Sequence, residues 1–538
     1  MMNISKPKYE TMITVIFSML LISVLAFYII FGLKGVDFGE HWDESKIITS
    51  VNNTFIRGIF LPGWYNYPSL LYDLSVLFSV FCKFILVSFK IQSPTFSLPT
   101  HDNHEIQSLT LTLRSCFFLF STIANLAIYL SCRTIGISRP LALSTVIISL
   151  CSFQVFYHSR WLAPDTLLYV AGSLNILAGL YALRNPSQLG VLITTCAASI
   201  ACSAKYPGGI FILIPAFLIC KQKGDFKQFI ITLFLFFTFF VFLTPGILAE
   251  PIRFFWHIKY EIFHYSVGGH GTLTINKGWT HLFRMLDFLT FRATSSSWAA
   301  SLVIMLLTII GGRSTLKNQP SIILILCVLP FTYILYFSAQ KVMIVRNLLV
   351  ILPFMYVLLG AGMQYLSSQI GHLKTLLLAL FGTVYLLMCS TQTFLESTMS
   401  LKNSISDSKN LINFIESEKN SNIVLSKQVN DILKHKIFSI FPSRNSSKTD
   451  VLIYVLGEFQ SPAKKTELPE YWGNLANKRG VYTVLAGPNE IDLDYYPMWS
   501  GKKRIVMVRG NTAKYLMEIF PTDVGLQLST TGKSHGTD

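Results

Sequence analysis

Charge is scarce in this chain, and acid is scarcer than base. Of 538 residues only 28 are Asp or Glu, against 44 Lys or Arg, and charged residues make up 13%. A soluble domain carries roughly a quarter of its residues charged, so a water-soluble enzyme is excluded. The long apolar runs are nearly free of acids. Coupled transporters place ionisable groups near mid-span, and that pattern is missing. No C-x-x-C occurs, and all nine cysteines fall within or beside apolar stretches. Metal clusters and a disulfide framework are therefore not expected, which leaves small buried hydrophobes. There is no internal repeat and no low-complexity tract. No small-residue cleavage site follows the first apolar run, which is also too long for a signal-peptide core, so it is expected to be retained.

What the chain has instead is apolar length. Hydrophobic residues make up 51%, and mean hydropathy is +0.49. The run Thr11–Leu33 exceeds the roughly 20 residues needed to cross a bilayer. Lys6 and Lys8 precede it and anchor the N-terminus in the cytoplasm by the positive-inside rule. Leu70–Val87, interrupted by Asp73 and Lys83, reads as an interfacial helix. Further runs follow at Ser108–Cys132, Leu141–Tyr157, Thr166–Leu183, Gly190–Cys202, Gly209–Cys220, Phe229–Leu248, Trp298–Ile310, Ser321–Phe337, Asn347–Tyr365 and Thr375–Cys389. The expectation is an α-helical polytopic membrane protein of about 11 transmembrane helices.

Parity fixes the orientation. With an odd number of crossings, Arg133, Arg139, Arg184, Lys221, Lys223, Lys227, Arg313, Lys317 and Lys374 all lie in short cytoplasmic loops, as the positive-inside rule requires. This topological role accounts for much of the net charge of +16 without a nucleic-acid partner. It also requires Gly190–Cys220 to be a hairpin around Lys205-Tyr206-Pro207-Gly208-Gly209, since a single span would invert every later loop. Facing outward are Asp37–Ser69, the span ends around His158–Asp165, Glu250–Ser297, Ser338–Val345 and everything after about Ser390. That last segment turns polar. It alternates helix-like runs (Ser408–Glu418, Thr512–Phe520) with strand-like ones (Ile423–Leu425, Val451–Leu456, Val481–Leu485, Arg504–Val508). Residues 1–390 are thus expected to form a transmembrane catalytic domain, and 391–538 a small extracytoplasmic α/β domain.

The carboxylates Asp43, Glu44, Asp165, Glu250 and Glu261 all fall at or beyond outer span ends. A site at the lipid–water boundary suits a substrate with its tail in the bilayer and its head outside. Five segments in order carry a resemblance. They are His41-Trp42-Asp43-Glu44, Tyr65-Asn66-Tyr67-Pro68-Ser69-Leu70, Phe156-Tyr157-His158-Ser159-Arg160 through Pro164-Asp165, Ser203-Ala204-Lys205-Tyr206-Pro207, and Phe263-His264 through His270-Gly271. Over roughly residues 1–390 the chain resembles the polytopic GT-C glycosyltransferases, specifically the bacterial relatives of protein O-mannosyltransferases and aminoarabinose transferases.

The resemblance implies transfer of a sugar from a polyprenyl-phosphate donor to a hydroxyl acceptor on a glycan, lipid or protein. The reaction would be inverting and would take place at the outer face of a bacterial inner membrane. Asp43 would be the base that takes the acceptor's proton, with Glu44 bonding to or placing the donor. The bland reading of this pair is a helix cap or a solvated loop. Asp165 either caps the helix beginning at Thr166 or faces Asp43 as a further acidic group. A phosphate leaving group needs cations, and the outer-side candidates are Arg57, Arg160, Lys205, Lys259, Lys341 and Arg346. Arg suits phosphate better than Lys, and snorkelling to headgroups is the alternative role. Tyr67, His264 and His270 are candidates for polar contact with sugar or acceptor. His257 and Glu261 have the spacing of two zinc ligands on a helix but fit no complete template. Some GT-C enzymes use a divalent cation (magnesium or manganese) on the acidic pair and others do not, and the sequence leaves this open. A lipid-linked sugar flippase and a non-catalytic membrane scaffold are the rival readings.

The topology is directly testable. A C-terminal fusion to a reporter active only outside the cytosol should give signal, and signal from a cytosol-only reporter would contradict the odd parity.

Overall fold

The computed structural model describes residues 8–34, 36, 44–88, 103–269, 273–398, 421–426, 429, 449–455, 483–486 and 505–519. The described residues up to Thr398 are almost wholly helical. Helix α1 (Lys8–Lys34) has Glu10 in its first turn and Lys34 in its last, each of the sign that the helix dipole favours. Helices α2 (Glu44–Arg57) and α3 (Leu70–Ser88) follow, then α4 (Asn103–Ser121) and α5 (Ile123–Thr134). Next come α6 (Arg139–Leu150), α7 (Phe153–Ser159), α8 (Pro164–Arg184) and α9 (Gln188–Ala204).

By length and composition, seven helices or joined helix pairs among the described residues are apolar enough to cross a membrane, or up to eight counting one bent pair. Three shorter apolar helices, Gln188–Ala204, Tyr206–Lys221 and Phe226–Phe242, occupy further expected crossings. The expected straight run Leu141–Tyr157 is in fact the bent pair, with α6 and α7 meeting at 59°. The cause is local. Ser152 caps α7, its hydroxyl accepting from the Val155 N–H at 3.4 Å, so a new helix starts where the apolar pattern runs on.

The break around Lys205 is present. After α9 the chain passes through Lys205 in extended conformation (φ −159°, ψ 135°) into the 3-10 turn Tyr206–Ile212. It then continues as α10 (Leu213–Lys221). A Cβ on Gly208 would overlap the Ala201 carbonyl, so the returning turn lies directly on the backbone of α9. Helix α11 (Phe226–Phe242) and the single turn α12 (Gly246–Ala249) lead on.

The stretch Glu250–Ser297, expected as a loop, folds largely into α13 (Pro251–Phe263) and α14 (Trp279–Phe291), with a π turn His264–Gly268 between them. Helix α13 buries Phe254 while Ile252, Phe255, Trp256, Ile262 and Phe263 remain exposed, an aromatic face of the kind that lies at a membrane interface.

Helices α15 (Trp298–Asn318), α16 (Pro320–Ile323) and α17 (Leu329–Ser338) come next. The expected span from Asn347 opens as a 3-10 turn, Val345–Ile351, and continues as α18 (Leu352–Ile370), followed by α19 (His372–Thr398). Helices α15 and α18 meet backbone to backbone. A Cβ on Gly311 would overlap the Leu358 carbonyl, and one on Gly362 the Leu307 carbonyl, while Thr308 Oγ1 donates to the Met355 carbonyl at 3.3 Å. Small residues allow this approach in apolar bundles.

The C-terminal unit is a four-stranded sheet of order β1-β2-β4-β3, with β1 Ser421–Leu425, β2 Thr449–Val455, β3 Thr483–Ala486 and β4 Ile505–Arg509, followed by α20 (Gly510–Ile519). Strands β1 and β2 are parallel, and β4 is antiparallel to both β2 and β3. All four expected strand segments and the last helix are found, because Val451–Tyr454 and Leu516 form a local apolar core. Ser408–Glu418 lies outside the described residues.

Gly208→Val should destabilise the hairpin by about 1–3 kcal/mol. A lowered thermal midpoint of the detergent-solubilised protein would register this, and an unchanged midpoint would argue against the close return of the turn onto α9.

Candidate active site

Glu44 opens α2 and is buried beneath it, at 2% exposure. The helix turns Ile47, Ile48, Val51 and Thr54 inward as well, so its first carboxylate enters the bundle with its apolar face. Arg114 of α4, itself 2% exposed, meets it in a two-point grip. Nε donates to Oε1 at 2.9 Å and Nη2 to Oε2. The remaining Arg114 nitrogen donates to the Val36 carbonyl at 2.8 Å, and the Leu162 N–H donates to Glu44 Oε1 at 2.8 Å. Both Glu44 oxygens are thus engaged, in the geometry that gives Arg–carboxylate pairs their strength.

Three residues after Leu162 comes Asp165, in the first turn of α8 behind Pro164. It does not cap the helix, whose N-cap is Ala163 and which has no side-chain cap hydrogen bond; its partners are cations instead. Lys205 Nζ, carried by the extended tip of the hairpin, donates to Asp165 Oδ1 at 2.6 Å and to Asn347 Oδ1 at 2.5 Å. Arg346 Nε stands 3.2 Å from Asp165 Oδ2 without hydrogen-bond alignment, which makes it a charge contact. Tyr333 Oη donates to the Asn347 carbonyl at 2.9 Å and braces the 3-10 turn. The Tyr67 ring lies 5.9 Å from Lys205 Nζ. Arg160 is buried with its guanidinium over the rings of Phe156, at 4.9 Å, and Tyr157, at 5.7 Å. Four buried cations (Arg114, Arg160, Lys205, Arg346) therefore stand with two buried carboxylates (Glu44, Asp165). Among the described residues the cluster carries a formal excess of positive charge.

A second belt ties the segment before α3 to α13. Tyr65 Oη donates to Glu250 Oε2 at 2.6 Å, and the Tyr65 N–H donates to His257 Nδ1 at 3.1 Å. Asn66 donates to Glu261, and Tyr206 Oη donates to the Tyr65 carbonyl at 2.7 Å. A Cβ on Gly246 would overlap the Tyr65 ring, so only glycine admits that ring. Burial, reinforced by the hydrogen bond to Glu250 and its charge, pushes the Tyr65 hydroxyl well above its ordinary range and keeps it a donor. Burial first, then the charge of Arg253, lowers His257, which suits a neutral ring accepting through Nδ1.

The candidates named from sequence divide accordingly. Glu44, Asp165, Arg160, Lys205, Arg346 and Tyr67 gather around the turn 160–165 or contact residues that do. Arg57 sits at the exposed end of α2. Lys341 donates to the Val267 carbonyl at 3.1 Å, and His264 stacks on Tyr260 with centroids 6.0 Å apart. Asp43 and His270 lie outside the described residues. Arg114 and Asn347 escaped the sequence reading. An arginine within the run Ser108–Cys132 was the available signal, because a charge inside an apolar span is a functional candidate by default. Asn347 offered no comparable signal.

For a divalent cation, the donor set among the described residues does not fit. Glu44 and Asp165 already face cations, while His257 and Glu261 are taken by Tyr65 and Asn66. No group of three or more metal-ligating side chains occurs among the described residues.

Residues 106–247 match the family described as dolichyl-phosphate-mannose-protein mannosyltransferase, a segment that contains Arg114, Arg160, Asp165 and Lys205. No protein of curated function matches the chain. Among solved structures, ArnT from Cupriavidus metallidurans in the apo state is similar at 11% identity, covering 92% of this chain and 98% of that one, with a TM-score of 0.49. The same protein bound to undecaprenyl phosphate gives 10% identity, coverages of 91% and 98%, and a TM-score of 0.47. The oligosaccharyltransferase AglB from Archaeoglobus fulgidus gives 10% identity, coverages of 85% and 63%, and a TM-score of 0.43. The family match agrees with the GT-C resemblance and falls on the part of the chain that carries most of the cluster.

Arg114→Ala would leave Glu44 buried without its ion partner, at a cost of about 3–5 kcal/mol. Replacing both residues by methionine should restore most of that stability. Equal thermal midpoints for Arg114→Ala and wild type would show that the pair is not buried as described.

Proposed function

We propose that this chain is a membrane glycosyltransferase that moves a sugar from a polyprenyl phosphate to a hydroxyl acceptor, with its site at the outer face of the membrane. The observation that carries this reading is the excess of buried positive charge around Asp165. Lys205 and Arg346 converge on the one carboxylate of Asp165, burying two cations in a low-dielectric bundle is costly, and an anionic headgroup bound there would offset part of that cost. The family description, with its dolichyl-phosphate-linked mannose, supports a lipid phosphate as that anion.

In this reading Lys205 and Arg346, both held on Asp165, accept the donor phosphate. Asp165 orients the two cations and is a positioning group. As the bond from the sugar's anomeric carbon to the phosphate oxygen breaks, negative charge grows on the phosphate, and these cations stabilise it. Asp43 takes the proton of the acceptor hydroxyl, whose oxygen attacks the anomeric carbon from the opposite side, so the configuration inverts. Glu44 keeps both oxygens on Arg114 and Leu162. It anchors the start of α2 and leaves proton transfer to Asp43. The orientation follows from the basic short loops, and the catalytic unit is residues 1–390, with 391–538 a separate extracytoplasmic domain.

The test is incubation of the purified protein with polyprenyl-phosphate sugars and an acceptor, scoring release of polyprenyl phosphate. Asp43→Asn should lower transfer about 10²–10⁴-fold with donor binding nearly unchanged. Arg346→Ala should weaken donor binding about tenfold or more, the worth of a charged hydrogen bond. Near wild-type transfer by a folded Asp43→Asn protein would remove Asp43 as the base.

A further inference from the structure

Nine cysteines in apolar surroundings were expected to be inert, yet two of them lie in contact. Cys82 Sγ of α3 stands 3.7 Å from Cys116 Sγ of α4, both thiols are free and both residues are half-buried. They are 34 positions apart in sequence and are brought together by an antiparallel seam. Phe78, one turn before Cys82, packs edge-on to Phe117 at 5.1 Å and against Phe120 at 6.0 Å.

The depth of the pair follows from the neighbours of α4. Phe118 stacks on Tyr28 at 5.0 Å, and a Cβ on Gly32 would overlap its ring. Arg114 donates to the Val36 carbonyl, just past the end of α1. Cys116 lies between Phe118 and Arg114, about 3 Å along the axis from each, and so sits level with Lys34, where α1 ends. Lys34 closes helix α1, so the pair lies toward the outer ends of the helices rather than at mid-span.

We propose that Cys82 and Cys116 form a disulfide that ties α3 to α4 in the outer half of the bundle. This rests on the orientation proposed above, because an oxidising compartment on that side is what lets such a bond form and persist. The oxidant is a protein disulfide. The thiolate of one cysteine attacks a sulfur of that disulfide and forms a mixed disulfide. The second thiolate then displaces the donor's sulfur, so the cysteine pair loses two electrons and two protons and the donor leaves as a dithiol. The bond would fix α4, and with it Arg114 and the Glu44 it holds, against the helix that follows Tyr65 and Tyr67.

Membranes acid-quenched at harvest would be alkylated before and after reduction, then digested and read by mass spectrometry. In wild type, Cys82 and Cys116 should alkylate only after reduction and should appear unreduced as one linked peptide pair. Cys82→Ser should make Cys116 reactive without reduction. Reduction should lower the thermal midpoint of wild type but not of the Cys82→Ser/Cys116→Ser protein. Full alkylation of both residues before reduction overturns the proposal. Lys259→Cys, on the exposed face of α13, separates the two ways this could happen. If an impermeant maleimide labels it in intact cells while Cys82 and Cys116 are thiols, the disulfide alone fails. If it labels only after permeabilisation, the outward orientation fails as well.

Discussion

Among the described residues six charged side chains are buried within an apolar helical bundle, and the fold around the site is arranged to hold them there. Each ion carries a desolvation cost of several kcal/mol, offset only by close geometry and added hydrogen bonds. The bundle supplies that geometry from dispersed elements. Arg114 comes from α4, Glu44 from the start of α2, Asp165 from the first turn of α8, Lys205 from the hairpin tip, and Arg346 from a 3-10 turn. The turn 160–165 joins them, since the Leu162 N–H holds Glu44 and Asp165 holds Lys205. Three residues of chain reach at most about 10 Å, so the two carboxylates belong to one site.

Several irregularities have this common purpose. The Ser152 cap bends α6 away from α7 and turns the chain toward the 160–165 turn. The extended Lys205 sets an ammonium at the point where a continuous helix would have buried an apolar residue. Gly208 lets the returning chain lie on α9, and Gly246 admits the Tyr65 ring. In each case regular secondary structure gives way where a functional group must be presented, as is expected of sites rather than cores.

Much of this was legible in the sequence. Apolar runs gave the placement of the apolar helices, because a bilayer demands length and sequence shows length directly. Alternation and turn residues gave the strands of the C-terminal unit. Asp165, Lys205 and Arg346 were legible as charges at span ends, but their mutual contacts were not, because they come from elements 40 or more positions apart. Arg114 was overlooked for the opposite reason, as one charge inside a strongly apolar run. The bend at Ser152 was hidden because the hydrophobic pattern continues through it. The helices within 250–297 were missed because their charged and aromatic composition reads as a loop when the membrane interface is left out.

The most direct measurement compares binding of a polyprenyl phosphate and the matching polyprenol to the purified protein. Two charged hydrogen bonds from Lys205 and Arg346 would contribute about 3–6 kcal/mol together, so the phosphate should bind at least about 100-fold tighter. That preference should fall sharply in Arg346→Ala. Equal affinity for phosphate and alcohol would contradict the claim that the buried positive cluster holds the lipid phosphate.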